Sequence, residues 1–106
     1  MNMTRADLHV FYHQVHQNVA KKLDIEDYEW KSLSELAKEI QNKNSQIADR
    51  VKAFIEAYEA WFKVNEDIEV SGTAGKLSTE ENGALMKAIE DRDTTRTALI
   101  DELANL

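Results

Sequence analysis

Between Leu33 and Asn65 the apolar positions fall into one rhythm. Leu33, Ala37, Ile40, Asn44, Ile47, Val51, Phe54, Tyr58, Trp61 and Asn65 follow one another at alternating steps of four and three. That spacing keeps side chains on one strip of a helix and marks a heptad seam. Proline is absent and the glycines are Gly72, Gly75 and Gly83, so nothing before residue 72 strongly breaks a helix. Only the centre, Gln41 to Gln46, is polar. A turn there would normally shift the seam out of phase, and the phase holds. The spacing therefore predicts one long helix over about 26–67, with Asn44 inside the seam, where a lone Asn weakens pairing but fixes register and partner number. The alternative is a break near 42–45, with Asn44 or Ser45 as a new N-cap.

Flanking segments are simpler. A helix is predicted over about 4–23, with Thr4 as N-cap and Leu8, Phe11, Tyr12, Val15 and Val19 in one stripe. Asp24 or Asp27, in the connection "DIED", is placed to cap the next helix. The stretch 70–78 reads as a loop. Ser78 and Glu81 form a capping box that starts a last helix over about 79–105. Its stripe is Leu85, Met86, Ile89, Leu99, Ile100, Leu103 and Ala104, with Asp93 and Arg96 on the inward side.

The whole, 1–106, reads as a single all-α domain with two candidate architectures. A long central helix is roughly 60 Å long, so its two flanking helices would each cover half of it. Such two-helix layers are too thin to bury Trp30, Phe54, Tyr58, Trp61 and Phe62, and a second copy must complete them. A break near 42–45 gives instead an antiparallel four-helix bundle in one chain.

Composition narrows the chemistry. Cysteine is absent, which removes disulfides, thiolate metal sites and sulfur nucleophiles. The first apolar run is interrupted by Asp7, His9 and His13, unlike a signal peptide, and no apolar run approaches the roughly 20 residues of a membrane span. A soluble, cytoplasmic protein without membrane contact is expected. The net charge of −7 is evenly spread, since only residues 1–23 are positive. Nucleic-acid backbones need clustered Lys and Arg, so direct binding to them is not expected.

All three histidines, His9, His13 and His16, lie on the first helix at spacings of four and three. Taking Leu8 as zero they sit at about 100°, 140° and 80°, flanking the apolar stripe. They are weak candidates for a metal, because a zinc site needs further ligands and no other His exists. The simpler expectation is boundary histidines hydrogen-bonded to neighbours. Three acidic pairs, Glu56/Glu59, Glu66/Glu69 and Glu90/Asp93, have the spacing of all-α magnesium-dependent hydrolases, but Glu56 and Glu59 point away from the stripe. "GTAGK", Gly72 to Lys76, lacks the spacing and the Ser or Thr of a phosphate loop. "GKLSTEE", Gly75 to Glu81, has the glycine and glutamate of a calcium loop without its first ligands.

The expected function is accordingly protein–protein contact by a small acidic, non-catalytic helical protein that needs no cofactor: an accessory, adaptor or inhibitor. The expected self-association surface is Ile40, Asn44, Ile47, Val51, Phe54, Tyr58 and Trp61, with helix one or the Asp93/Arg96 patch facing a protein partner. Trp and Tyr are common interface anchors. Two other classes stay open: a metal-dependent hydrolase or metal-binding protein using the acidic pairs or His9/His13, and an acidic decoy for a nucleic-acid-binding protein.

Overall fold

A computed structural model describes residues 3–71 and 76–106, the side chain of residue 71 excepted. The elements are α1 (Arg5–Lys22), a 3-10 turn (Tyr28–Trp30), α2 (Leu33–Lys43), α3 (Ser45–Ser71) and α4 (Thr79–Ala104). The protein is all-α, and its helices pack as a bundle.

Both ends of α1 are closed by hydrogen bonds, through side chains at the start and through the backbone at the end. Thr4 Oγ1 accepts from the Asp7 amide at 3.1 Å, and the Asp7 carboxylate accepts from the Thr4 amide at 3.0 Å. The Thr4 amide, and after it the Thr4 hydroxyl, also hold the Asp7 carboxyl below the usual carboxylate range. At the C-terminus the Ile25 amide reaches back to the Ala20 carbonyl at 3.0 Å and the Asp24 amide to Lys21 at 3.2 Å. That is a Schellman closure, and it places Asp24 in the left-handed region at φ 58°. Asp tolerates this conformation better than most residues. Asp24 thus ends α1 instead of capping the next helix. Ser32 does the capping, in a box with Glu35, and α2 begins at Leu33.

The chain breaks at Asn44, so the long helix over 26–67 is replaced by α2 and α3. Asn44 has extended geometry, φ −157° and ψ 98°. Its amide donates to the Ile40 carbonyl at 2.8 Å and closes α2. Its side-chain Oδ1 accepts from the Ile47 amide at 3.1 Å and opens α3. One residue therefore satisfies orphan groups of two helices. The backbone then folds back. Leu33 and Phe62 join one apolar cluster, although a continuous helix would hold them about 44 Å apart.

Every helix in contact with α3 runs antiparallel to it. On one side, Arg50 pairs with Glu102 at 3.7 Å and the Arg92 guanidinium lies 4.7 Å over Trp61, fixing the register of α4. On another, Arg5 pairs with Glu66 at 2.9 Å and Phe11 stacks on Tyr58 with ring centres 4.3 Å apart, fixing α1. α1 and α2 run side by side in the same direction. His13 meets the Lys31 carbonyl just before α2 begins, and at the other end residues 24–26 line one depression with Glu39, Asn42 and Lys43.

Two apolar clusters fill the interior. The larger takes Val19, Ala20, Leu23 and Ile25 with Leu36, Ile40, Ile47, Val51, Phe54 and Leu99. The smaller is Leu8, Tyr12 and Phe62, with Met3, Trp61 and Tyr58 against it. The seam's apolar residues Ile40, Ile47, Val51 and Phe54 are all buried within the one chain. The arrangement that called for a second copy is not present.

Replacing Asn44 by Ala removes the cap of α3 and should cost about 1 kcal/mol. Ile40→Ala opens a void in the larger cluster and should cost about 2–5 kcal/mol. Urea unfolding of the two variants measures both; a larger loss for Asn44→Ala than for Ile40→Ala would contradict this ranking.

Candidate functional site

Two features stand out, and both depend on the connection between α1 and α2 or on the break after α2. The first is Trp30. A 3-10 turn advances roughly 120° per residue, so side chains two apart point about 120° away from each other. Tyr28 packs against the larger cluster, and Trp30 faces outward with 86% of its surface exposed. The turn beneath it is held firmly. Trp30's amide donates to the Asp27 carbonyl at 3.0 Å. His13 Nε2 donates to the Lys31 carbonyl at 2.9 Å, and Lys31 Nζ lies 3.3 Å from Glu39. Trp30's neighbours in sequence Glu26, Asp27 and Glu29 are exposed. Lys31, the nearest cation in sequence, is already engaged by Glu39. The result is an exposed aromatic ring on a braced turn whose exposed neighbours in sequence are acidic.

The second feature is a cleft where α2 and α3 diverge from Asn44. Ala37 and Ala48 line it from opposite helices, and His16 reaches it from α1. His16 is 9% exposed and, apart from Tyr12, the one buried residue with a polar side-chain group among the described residues. Its Nδ1 lies 2.7 Å from the Tyr12 carbonyl, one turn back on its own helix. Burial, and to a lesser degree the neighbouring His13, outweigh that bond and hold the imidazole below its ordinary pKa of 6.5.

The three histidines therefore part company. His16 turns inward, His13 braces the 3-10 turn, and His9 is exposed with its ring edge-on to Tyr12 at 6.1 Å. Among the described residues no group of three or more His, Asp or Glu is placed to hold a metal ion. Of the acidic pairs, Glu66 is taken by Arg5 and Glu56 sits at the margin of the cleft. The first four residues of "GTAGK", with the glycine of "GKLSTEE", are residues 72–75 and lie outside the described part of the chain; Lys76 is exposed.

The remaining sequence candidates are dispersed. Asn44 is half-buried at the break. Tyr58 and Trp61 are also half-buried; Tyr58 OH donates to the Met3 sulfur at 3.9 Å, and Trp61 is covered by Arg92. Asp93 and Arg96, expected to face inward, are both exposed. Arg92 is the arginine that turns in, with its guanidinium also 3.1 Å from Asp93. Its long stem buries while the charge stays over an aromatic face, a compromise that a hydropathy stripe does not register. Tyr12 is buried and its hydroxyl finds no partner among the described residues; burial first, and the Glu59 carboxylate second, push its pKa up to about 12.

No protein-family model, curated protein or solved structure matches this chain. Among the described residues no helix is long and apolar enough to cross a membrane.

The depressed His16 pKa has a defined consequence for stability. When pH falls through 6.5, the unfolded chain takes up this proton before the folded one does. Stability is therefore full above about pH 6.5 and declines below it, until the lower folded-state pKa is passed. Urea unfolding at pH 7.5 and 5.5 should show a loss on acidification that shrinks in His16→Gln. An equal loss in both proteins would mean that another group is responsible.

Proposed function

We propose that this protein is a non-catalytic protein–protein interaction module whose anchor is Trp30. The observation that carries the proposal is the indole itself: the largest apolar side chain available, 86% exposed and held on a turn braced from two directions. Leaving such a ring in water sacrifices about 1.5–3 kcal/mol of burial, which a partner recovers on binding. Trp is the residue type most enriched at interface hot spots, and a pre-ordered anchor loses little entropy on docking.

The surrounding charge describes the partner. Glu26, Asp27 and Glu29 flank Trp30 in sequence and are exposed, and the protein as a whole carries −7. The complementary surface is an apolar pocket with a basic margin on another protein. Opposed charges of this kind chiefly speed association and weaken with salt. An acidic surface is also what a decoy for a basic, nucleic-acid-binding protein would present, which keeps that inhibitory role within the proposal. Hydrolysis has less support, since the acidic pairs do not converge with one another among the described residues.

The experiment is a comparison of wild type with Trp30→Ala as bait in extracts of the source cell. Trp30→Ala should change folding stability by no more than about 0.5 kcal/mol, because the side chain is almost wholly exposed. It should weaken retention of a wild-type partner by at least about thirtyfold, the mark of a hot spot worth 2 kcal/mol or more. Retention of the same proteins with equal affinity by both baits would overturn Trp30 as the anchor.

A further inference from the structure

The cleft between α2 and α3 has no part in the contact assigned to Trp30, and its chemistry is different. We infer that it is a binding site for a small, neutral, apolar molecule carrying one hydroxyl or ring N–H, which donates to Nε2 of His16.

Space comes first. The cleft encloses about 350 Å³, within the size range of small-molecule sites. It exists because the two helices diverge from a one-residue break and meet across alanines, Ala37 and Ala48, whose side chains leave a slot. Ile40 and Val51, both buried, supply an apolar floor together with Ile55.

Polarity then selects the ligand. His16 is nine-tenths buried, and its Nδ1 faces a carbonyl oxygen, which can only accept. Nδ1 therefore carries the hydrogen of the neutral ring, and Nε2, across the ring, presents a lone pair. No described residue donates to it. Nε2 keeps some solvent exposure, so an occupant that covers it without donating leaves the acceptor unsatisfied, and one with a matching donor gains over it. At the mouth, Lys52 and Glu56 stand one turn apart on α3 with opposite charges, which gives no net field to attract an ion. Gln41 is the remaining polar group at the margin. One acceptor at the bottom of an otherwise apolar slot specifies one donor on an otherwise apolar ligand, the chemistry of indoles, phenols and compact alcohols.

The test uses the full chain and two probes of the same shape, indole and indene, which differ in the ring N–H. Titrations followed by amide NMR shifts should locate indole at Ala37, Ala48, Val51 and Ile55, and indole should bind about tenfold tighter than indene. His16→Phe keeps an aromatic ring but removes the acceptor, and it should abolish that preference. Ala48→Leu fills the slot and should abolish binding of both probes, with an unchanged helical circular dichroism spectrum showing that the fold persists. The wild-type ratio of the two affinities decides the matter even where a variant fails to fold. Acidification should erase the preference as well, because a protonated Nε2 cannot accept. The ionisable groups facing His16 in that titration are His13 on α1 and Lys52 and Glu56 on α3, while the α2 lining is uncharged. Trp30→Ala should bind indole as wild type does, so a failure of the Trp30 proposal is distinguishable from a failure here. Equal affinity for indole and indene, or no shifts at millimolar probe, would overturn the site.

Discussion

Asn44 is the one residue between α2 and α3 that is not helical, and the rest of the molecule is arranged around it. Without a reversal there, Leu33, Leu36 and Ile40 would lie along the same rod as Ile47, Val51 and Phe62 and could not touch them. With it, the two halves face each other and enclose α1's stripe. Helix ends are expensive to bury because several backbone groups lose their partners. Asn44 limits that cost with its amide on one helix and its side chain on the other. Few residues can do both: the position needs a side-chain acceptor, which Ala or Leu lacks.

The break has two geometric consequences. Helices diverging from a one-residue joint are close near the joint and separate beyond it, so a cleft must open unless large side chains fill it. Here Ala37 and Ala48 leave it open. The other consequence lies upstream. Since α3 is antiparallel to both α1 and α2, those two must run in the same direction. The chain between them must then travel back along α1, and a tight turn cannot do that. Residues 23–32 make this return, with Asp24 and Asp27 both in the left-handed region. Trp30 stands exposed on that return, at the point where the path turns into α2.

How much of this the sequence discloses depends on whether a signal is local. The capping boxes at Thr4 and Ser78 are local, and they place the starts of α1 and α4 correctly. The break is not local. Leu33, Ile40, Ile47, Phe54 and Trp61 stay seven apart on either side of Asn44. A break that uses a single residue removes none from this count, so the spacing is the same for one rod and for two helices joined at Asn44. Leu36, fully buried where the seam takes exposed Ala37, is the one α2 position that departs from the rhythm. The same limit applies at the other sites. His16 lies only about 20° from His9 around the helix, yet one is buried and the other exposed, because α2 and α3 close over the turn that holds His16. Arg92 turns in and Asp93 out because Trp61 offers a face for the guanidinium, a contact set by the register of α3 against α4. Trp30's exposure follows from the path of the return segment, which no periodicity encodes.

One helix serves both proposed sites. His13 braces the turn that carries Trp30, and His16, three residues on, forms part of the cleft. Proximity alone does not couple them. Coupling needs an element with two arrangements that both occupants bias differently. α1 offers no such element: its ends are closed by a capping box and a Schellman turn, and its inner face is packed against α2 and α3. The His13 bond reaches the segment before α2, whereas His16 lines the cleft between α2 and α3. A ligand that fills existing space beneath His16 has no reason to move α1. The two sites are therefore energetically separate to first order, joined by a shared scaffold and not by a shared switch.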